Sequence, residues 1–266
     1  MPNATDAMKS AKHKFLMLGD TGGGKTTQFL TLPGKKFMYL FDPNAILSLR
    51  GHDVDYEEFL PDNLNLSIRS LSKDRGDKLT NYASEVYNDW QKDFDKKLND
   101  GFFDQYENIG FDSATTFLDL IMDRVLTING RGGSWPQQDD YGPQMVGFTG
   151  VVRTLASLNK TLYMTGHLET KQDDLTKRIL RSPMMTGRLK TKIPLLFSDI
   201  LICDAENDGQ GKINYRLNTV PDRMTPTIRC SFKGLKAFEN VTLDFSKPLV
   251  GQGLGGFVMR EQGASK

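Results

Sequence analysis

Cysteine is scarce in this sequence, which has two among its 266 residues, Cys203 and Cys230. Neither has another cysteine or a histidine at the spacing of a metal site, which argues against both a disulfide framework and a zinc cluster. The expected state is two buried thiols, kept reduced in the cytoplasm.

Long apolar runs are also missing. No stretch approaches the roughly 20 apolar residues that a membrane-spanning helix needs. Residues 1–13 are small and polar, without the apolar segment of a secretory signal, and are expected to form a flexible tail. We therefore expect a cytoplasmic protein with no membrane partner.

The net charge is close to zero, because 34 lysines and arginines face 33 aspartates and glutamates. Any argument for nucleic-acid binding must therefore come from local clustering. The length allows one large domain with a substantial core. We expect a single domain over residues 14–250 and an irregular, glycine-rich tail over 251–266.

Short apolar runs alternate with stretches of helical periodicity along most of the chain. This alternation predicts an α/β fold with a mainly parallel central sheet flanked by helices and a strand-rich C-terminal end. Residues 51–75 and 130–142 are polar and turn-rich, and 168–192 are polar and basic. Strands are expected at 14–18, 37–41, 108–112, 161–164, 199–203, 213–217, 227–231 and 241–245, and helices at 25–32, 79–100, 117–128 and 143–159.

A phosphate-binding motif, G-x-x-x-x-G-K-[ST], lies between the first predicted strand and the first predicted helix. Its glycines would let backbone N–H groups point at phosphate oxygens; a glycine-rich turn without a ligand is the alternative. Lys25 is expected to reach the β- and γ-phosphates and Thr26 to bind Mg²⁺, so ATP and Mg²⁺ are the predicted cofactors. The motif does not separate ATP from other nucleotides. The predicted contacts are Gly19, Asp20, Thr21, Gly22, Gly23, Gly24, Lys25, Thr26 and Thr27.

A second acidic residue ends a later apolar strand, in the run Ile-Gly-Phe-Asp-Ser that places Asp112 before Ser113. A phosphate-binding loop of this kind needs such a carboxylate to hold the metal. Asp and Ser are also favoured as helix N-caps, so capping is the alternative role. We predict that Asp112 is the second metal residue.

These motifs resemble those of the RecA-like P-loop ATPases. The similarity includes a strand ending Met-Thr-Gly-His at His167 and spans roughly residues 13–235. Closer still are small single-domain phage proteins known as nucleotide-binding proteins or single-strand-annealing recombinases, for which the compartment would be the host cytoplasm. The resemblance implies that Lys25 and Asp112 serve catalysis and that His167 senses the γ-phosphate; a structural histidine is the alternative.

One departure from the RecA-like pattern concerns the residue that activates water. The family usually carries a glutamate just beyond the second strand, where this sequence reads Leu-Phe-Asp-Pro-Asn. Asp42 is the nearest carboxylate, and Asn44 lies close to the family's glutamate position. We consider two roles for Asp42, a catalytic base and a cap of the turn before Pro43, and the identity of the base stays open.

The basic stretch after His167 holds seven cations against Asp173 and Asp174, a local balance of +5. RecA-like proteins carry a mobile DNA-binding loop here, so the resemblance implies contacts to single-stranded DNA; a solvated surface run is the alternative. Trp135, in the preceding loop, would either stack on a base or pack locally. The predicted DNA-binding residues are Lys171, Lys177, Arg178, Arg181, Arg188, Lys190 and Lys192.

Arg229 and Lys233, near a late predicted strand, would reach the nucleotide of an adjacent subunit in a RecA-like assembly. The resemblance therefore implies a homo-oligomer, either a ring or a filament. Our leading hypothesis is an ATPase that binds single-stranded DNA in homologous recombination or strand annealing, with a single-strand-binding protein as a further partner. The alternatives are a phosphotransferase acting on a small molecule and a nucleotide-gated assembly or packaging factor.

Overall fold

The computed structural model describes residues 12–60, 82–173 and 177–263, with backbone only for 82–84. Nearly all of the expected N-terminal tail and Asp174 lie outside these ranges. His13, the last residue of that tail, is fixed in the structure. Its ring stacks on those of Phe15 and Phe232, with centroids 5.1 and 4.7 Å apart. His13 thus packs against the domain, and the predicted domain bounds stay a prediction.

The described strands form one large sheet and one separate hairpin. The strands are β1 (Lys14–Gly19), β2 (Lys36–Leu40), β3 (Asp55–Glu58), β4 (Asn108–Asp112), β5 (Thr161–Gly166), β6 (Leu168–Gln172), β7 (Ile179–Pro183), β8 (Asp199–Asn207), β9 (Ile213–Asn218) and β10 (Phe238–Asn240). Across the sheet the order is β10-β9-β8-β1-β5-β4-β2-β3. The six strands β8, β1, β5, β4, β2 and β3 are parallel, β9 and β10 are antiparallel, and in the described ranges β6 pairs only with β7.

Helices cover both faces of this sheet, which confirms the predicted α/β fold with a mainly parallel sheet and an antiparallel C-terminal end. One face carries α2, α3 and α4, and the other carries α1 and α6. Within the described ranges, no helix has the length and apolar character needed to cross a bilayer. The helices are α1 (Lys25–Leu30), α2 (Tyr82–Asn99), α3 (Ala114–Ile128), α4 (Tyr141–Ser157), α5 (Leu189–Lys192) and α6 (Gly253–Glu261).

The central strands are mainly apolar because each is buried on both faces. In β1, Leu16 and Leu18 pack into one core cluster, whereas Phe15 and Met17 pack into the other. Trp90 of α2 is 1% exposed within the first cluster. Period-two alternation between two buried layers therefore produces an unbroken apolar run in the sequence.

The C-terminal third differs most from the predictions. Residues 227–231 form only an isolated bridge, between Arg229 and Ile200, and the last strand is β10 and not 241–245. The glycine-rich tail is also not irregular, because it contains α6. A Cβ at Gly255 would lie closer than 3.0 Å to the Thr31 carbonyl oxygen, so glycine permits close contact between α6 and α1 here.

The sheet order sets the location of the site. β5 lies between β1, which leads into the phosphate-binding motif, and β4, which ends at Asp112. These parallel strands end at one edge of the sheet, where α/β proteins bind ligands.

Candidate nucleotide-binding site

The predicted phosphate-binding loop joins β1 to α1. It packs against the middle of β8, where a Cβ at Gly19 would lie closer than 3.0 Å to the Cys203 carbonyl oxygen. The Gly23 N–H donates to the Asp20 carbonyl oxygen at 3.1 Å, which closes a turn within the loop. Close packing on one side and this turn on the other hold the loop at the carboxyl edge of the sheet.

Lys25 is the first residue of α1 and its side chain is buried. Its ammonium donates to the Gly19 and Asp20 carbonyl oxygens, at 3.0 and 2.9 Å. Burial lowers the pKa of Lys25, while nearby acidic groups, including Asp112, Asp42 and Asp20, act in the opposite direction. The ammonium is thus held inside the loop, where its charge can stabilise a phosphate.

Thr26 and Asp112 meet in this structure. The Thr26 hydroxyl donates to Asp112 Oδ2 at 2.7 Å, and the Thr165 hydroxyl donates to Oδ1 of the same carboxylate. Burial raises the pKa of Asp112, and the hydrogen bonds from Thr165 and Thr26 oppose that rise. The alternative capping role belongs instead to Ser113, whose hydroxyl accepts from the Thr116 N–H at the start of α3.

The oxygens of Thr26 and Asp112 suit Mg²⁺, which prefers hard oxygen ligands. Mg²⁺ in nucleotide sites usually takes only one or two protein ligands and completes its shell with phosphates and water. In keeping with this, the described residues contain no group of three or more His, Cys, Asp or Glu side chains that could hold a metal by themselves. The donor set therefore fits a metal that arrives with its nucleotide.

Asp42 lies beside this pair, two residues beyond the end of β2. Its Oδ1 accepts a hydrogen bond from the Thr116 hydroxyl. Burial is the main cause of the raised pKa of Asp112, and the negative charge of Asp42 raises that pKa further. The preceding residue, Phe41, donates its N–H to the Asp112 carbonyl oxygen at 2.6 Å. Asp42 is thus at the correct edge for a base, although that role stays a prediction. Asn44 is exposed and has a left-handed backbone, with φ of 68°.

His167 follows β5 at the same edge. Its N–H donates to the Thr115 hydroxyl at 3.0 Å, and its carbonyl oxygen accepts from the Met184 N–H at 2.8 Å. The backbone of His167 therefore connects the sheet edge to the hairpin formed by β6 and β7. Its role as a γ-phosphate sensor stays a prediction.

A cavity of about 280 Å³ opens next to the loop. The ring of Tyr215 lies over Gly24, since a Cβ at that glycine would be 3.0 Å from Tyr215 Cδ1. Aromatic and aliphatic side chains next to a phosphate loop can hold the base of a nucleotide. Beyond residues 22–28, the lining side chains are Ser48, Tyr215, Val241, Leu243 and Phe245.

A sequence family described as "AAA domain" matches residues 11–227. The chain belongs to this family. No curated protein matches the chain. Among solved structures, flagellar accessory protein FlaH from Methanocaldococcus jannaschii is similar at 12% identity and a TM-score of 0.37, over 91% of this chain and 92% of that one. That similarity is too distant to support an inference.

The predicted DNA-binding stretch of this AAA domain spans the β6–β7 hairpin and α5. Several of its charges are already paired: Lys190 and Lys171 with Glu169, and Arg181 with acidic residues at the phosphate loop. These ion pairs offset part of the positive charge of the stretch, and its role in DNA binding stays a prediction. Lys177, Arg178, Arg188 and Lys192 are exposed.

Arg229 of the AAA domain is engaged within its own chain. Its guanidinium donates to the Pro194 carbonyl oxygen at 3.1 Å and to that of Phe197. Its bridge to Ile200, near the start of β8, places it at the amino edge of the parallel strands, opposite the phosphate loop. Lys233 is exposed, and the reach of both residues to another subunit stays a prediction.

The sequence-based site set for the AAA domain omitted Thr165, Tyr215 and Thr116. Thr165 had a detectable signal, since it is a polar residue near the end of an otherwise apolar buried strand. Tyr215 gave none, because it comes from β9, far along the chain from the motif. Trp135, considered as a stacking or packing residue, is 83% exposed, which contradicts the local packing role.

Proposed function

We propose that this AAA domain is an Mg²⁺-dependent ATPase. The observation that carries the proposal is the hydrogen bond between Thr26 and Asp112, with the ammonium of Lys25 held in the same loop. This is the combination that P-loop ATPases use to bind phosphate and metal. The family match supports the same class of activity.

Each residue has a distinct task in this proposal. Lys25 neutralises charge on the β- and γ-phosphates, and Thr26 and Asp112 hold the metal shell. Mg²⁺, when bound, offsets negative charge on the transferred phosphoryl group. Asp42, held by Thr116, accepts a proton from the attacking water.

The finer part of the proposal is the partner. We propose that the protein binds single-stranded DNA as a homo-oligomer and serves homologous recombination or strand annealing. The support is the exposed cations Lys177, Arg188 and Lys192, on a segment that follows His167 directly, and the exposed ring of Trp135. Cations contribute phosphate contacts and aromatic rings contribute base stacking.

ATP hydrolysis measured with and without single-stranded DNA, at two salt concentrations, tests both parts. We expect phosphate release that is lost in Lys25→Ala and is stimulated by DNA less strongly at high salt. Release of inorganic phosphate also distinguishes hydrolysis from transfer to a small molecule. If DNA neither binds nor stimulates, the DNA proposal is wrong and the ATPase proposal stands alone.

A pair of charge variants locates the DNA contact. Arg188→Gln with Lys192→Gln should weaken DNA binding while nucleotide binding is unchanged. Lys212→Gln, an exposed residue on the β8–β9 turn, is the control for general loss of charge. Equal DNA affinities in the control and the double variant would rule out the proposed surface.

A further inference from the structure

Arg181 of β7 lies beside the phosphate-binding loop. One guanidinium nitrogen is 3.3 Å from Asp20 Oδ2, and the other is 3.6 Å from Asp204 Oδ1. Its backbone N–H donates to the Met224 carbonyl oxygen at 2.7 Å, which links this part of the hairpin to the segment around Met224. The side chain of Arg181 is 20% exposed, whereas that of Asp20 is 76% exposed.

The acidic partners of Arg181 belong to the loop and its support. Asp20 is a loop residue whose carbonyl oxygen accepts from Lys25 at 2.9 Å. Asp204 follows Cys203, the residue of β8 that packs against Gly19. Two carboxylates at this position would repel a polyphosphate, and Arg181 offsets their charge.

The Asp20–Arg181 contact is easily exchanged for a stronger one. An exposed ion pair contributes little, because water screens it and both side chains lose rotamer freedom. A guanidinium bound to phosphate makes shorter, charge-assisted hydrogen bonds, often two at a time. A polyphosphate in the loop would therefore compete successfully with Asp20 for this guanidinium.

We propose that Arg181 is a nucleotide-sensing residue acting within its own chain. On triphosphate binding its guanidinium leaves Asp20 for the terminal phosphate, and the β6–β7 hairpin shifts with it. The inference rests on the proposed nucleotide binding. It assigns Arg181 to the nucleotide and not to DNA, and it makes the hairpin that carries Lys171 and Lys177 responsive to the nucleotide.

Affinities for Mg-ATP and Mg-ADP, measured by titration calorimetry, test the contact. Arg181→Gln should weaken ATP binding by about 10- to 100-fold and ADP binding much less, since the lost contact is to the terminal phosphate. Arg181→Lys should recover part of the lost ATP affinity, because lysine keeps the positive charge but lacks the paired N–H donors of the guanidinium. Asp20→Asn should strengthen ATP binding by removing both the competing partner and a repelling charge.

Arg223→Gln is the matched control, because Arg223 is an exposed arginine next to Met224, the residue bonded to the Arg181 backbone. Unchanged affinities in this control are expected. The inference would be overturned if Arg181→Gln lost the same affinity for ATP as for ADP. It would also be overturned if Arg181→Gln lost no more ATP affinity than the control. If the wild-type protein binds no ATP, the proposed function fails together with the inference.

Amide hydrogen exchange of the wild-type protein tests the movement without any variant. Addition of Mg-ATP should change the exchange of the β6–β7 amides, and Mg-ADP should change it less. Identical exchange with both nucleotides would overturn the coupling, even if the affinity data support the contact.

Discussion

Replacement of Gly255 by alanine should destabilise the protein although it adds a good helix former to α6. The new methyl group would meet the carbonyl oxygen of Thr31 closer than 3.0 Å, and a backbone atom cannot rotate away. Detaching α6 would expose Leu254, Phe257 and Val258, at a cost of about 5–8 kcal/mol. A strained shift of the helix costs only about 1–3 kcal/mol.

The smaller of these two penalties decides the outcome, so α6 should shift and not detach. The shift would also weaken the bond from the Gly255 N–H to the Thr31 hydroxyl, 2.9 Å in the structure and worth about 1 kcal/mol. We expect a total loss of about 2–4 kcal/mol in the free energy of unfolding. Urea denaturation followed by the fluorescence of Trp90, which is 1% exposed, measures this loss.

Gly150→Ala is the matched control. Gly150 is also a helical glycine, in α4, but an added Cβ there would have nothing within 4 Å. The same substitution should therefore stabilise the protein by about 0.5–1 kcal/mol. If Gly255→Ala proves as stable as Gly150→Ala, then the contact between Gly255 and the Thr31 carbonyl oxygen does not exclude a Cβ at this position.

Three further predictions concern the site and its pH dependence. Asp112→Asn should lower ATP hydrolysis about 100-fold or more while retaining most nucleotide affinity, since it removes the charge that supports the metal; normal hydrolysis would contradict this role. Tyr215→Ala should weaken ATP binding by about 1–3 kcal/mol and leave inorganic triphosphate unaffected, and equal effects in a competition assay would argue against base stacking. Burial tends to lower the pKa of His13, but Asp199 and Glu261 outweigh it and raise the pKa above 6.5. This stabilisation is complete below pH 6.5 and is lost as pH rises through the raised pKa. The difference in unfolding free energy between wild type and His13→Gln should therefore narrow at high pH to the part due to ring stacking; a constant difference would exclude the mechanism.

The central strands and the phosphate loop were predictable because local pattern determines both. Strands buried on both faces must be mainly apolar, as residues 15–18 of β1 are, and the loop requires glycines at fixed spacing. The placement of Asp112 followed from the end of its strand. Contact with Thr26, 86 residues away, then follows from the parallel arrangement.

The strands β3, β6 and β7 were missed in the sequence, and they contribute no fully buried residue to either core cluster. β3 reads Asp-Tyr-Glu-Glu at the sheet edge, and β6 and β7 form a polar hairpin, so none of the three has an apolar run. In α6 the glycines indicated a loop, but close contact with α1 requires at least Gly255. Long-range pairing, such as that of Arg181 with Asp20, has no local signal at all.

The contacts of Gln28 have a consequence for protein synthesis. Its amide group donates to Val241 and accepts from the Leu254 N–H, partners 213 and 226 residues further along the chain. A ribosome releases the phosphate motif first, and these partners emerge only 213 and 226 residues later. A nascent chain that stops before α6 would therefore carry the complete motif and still lack the helix that packs against α1.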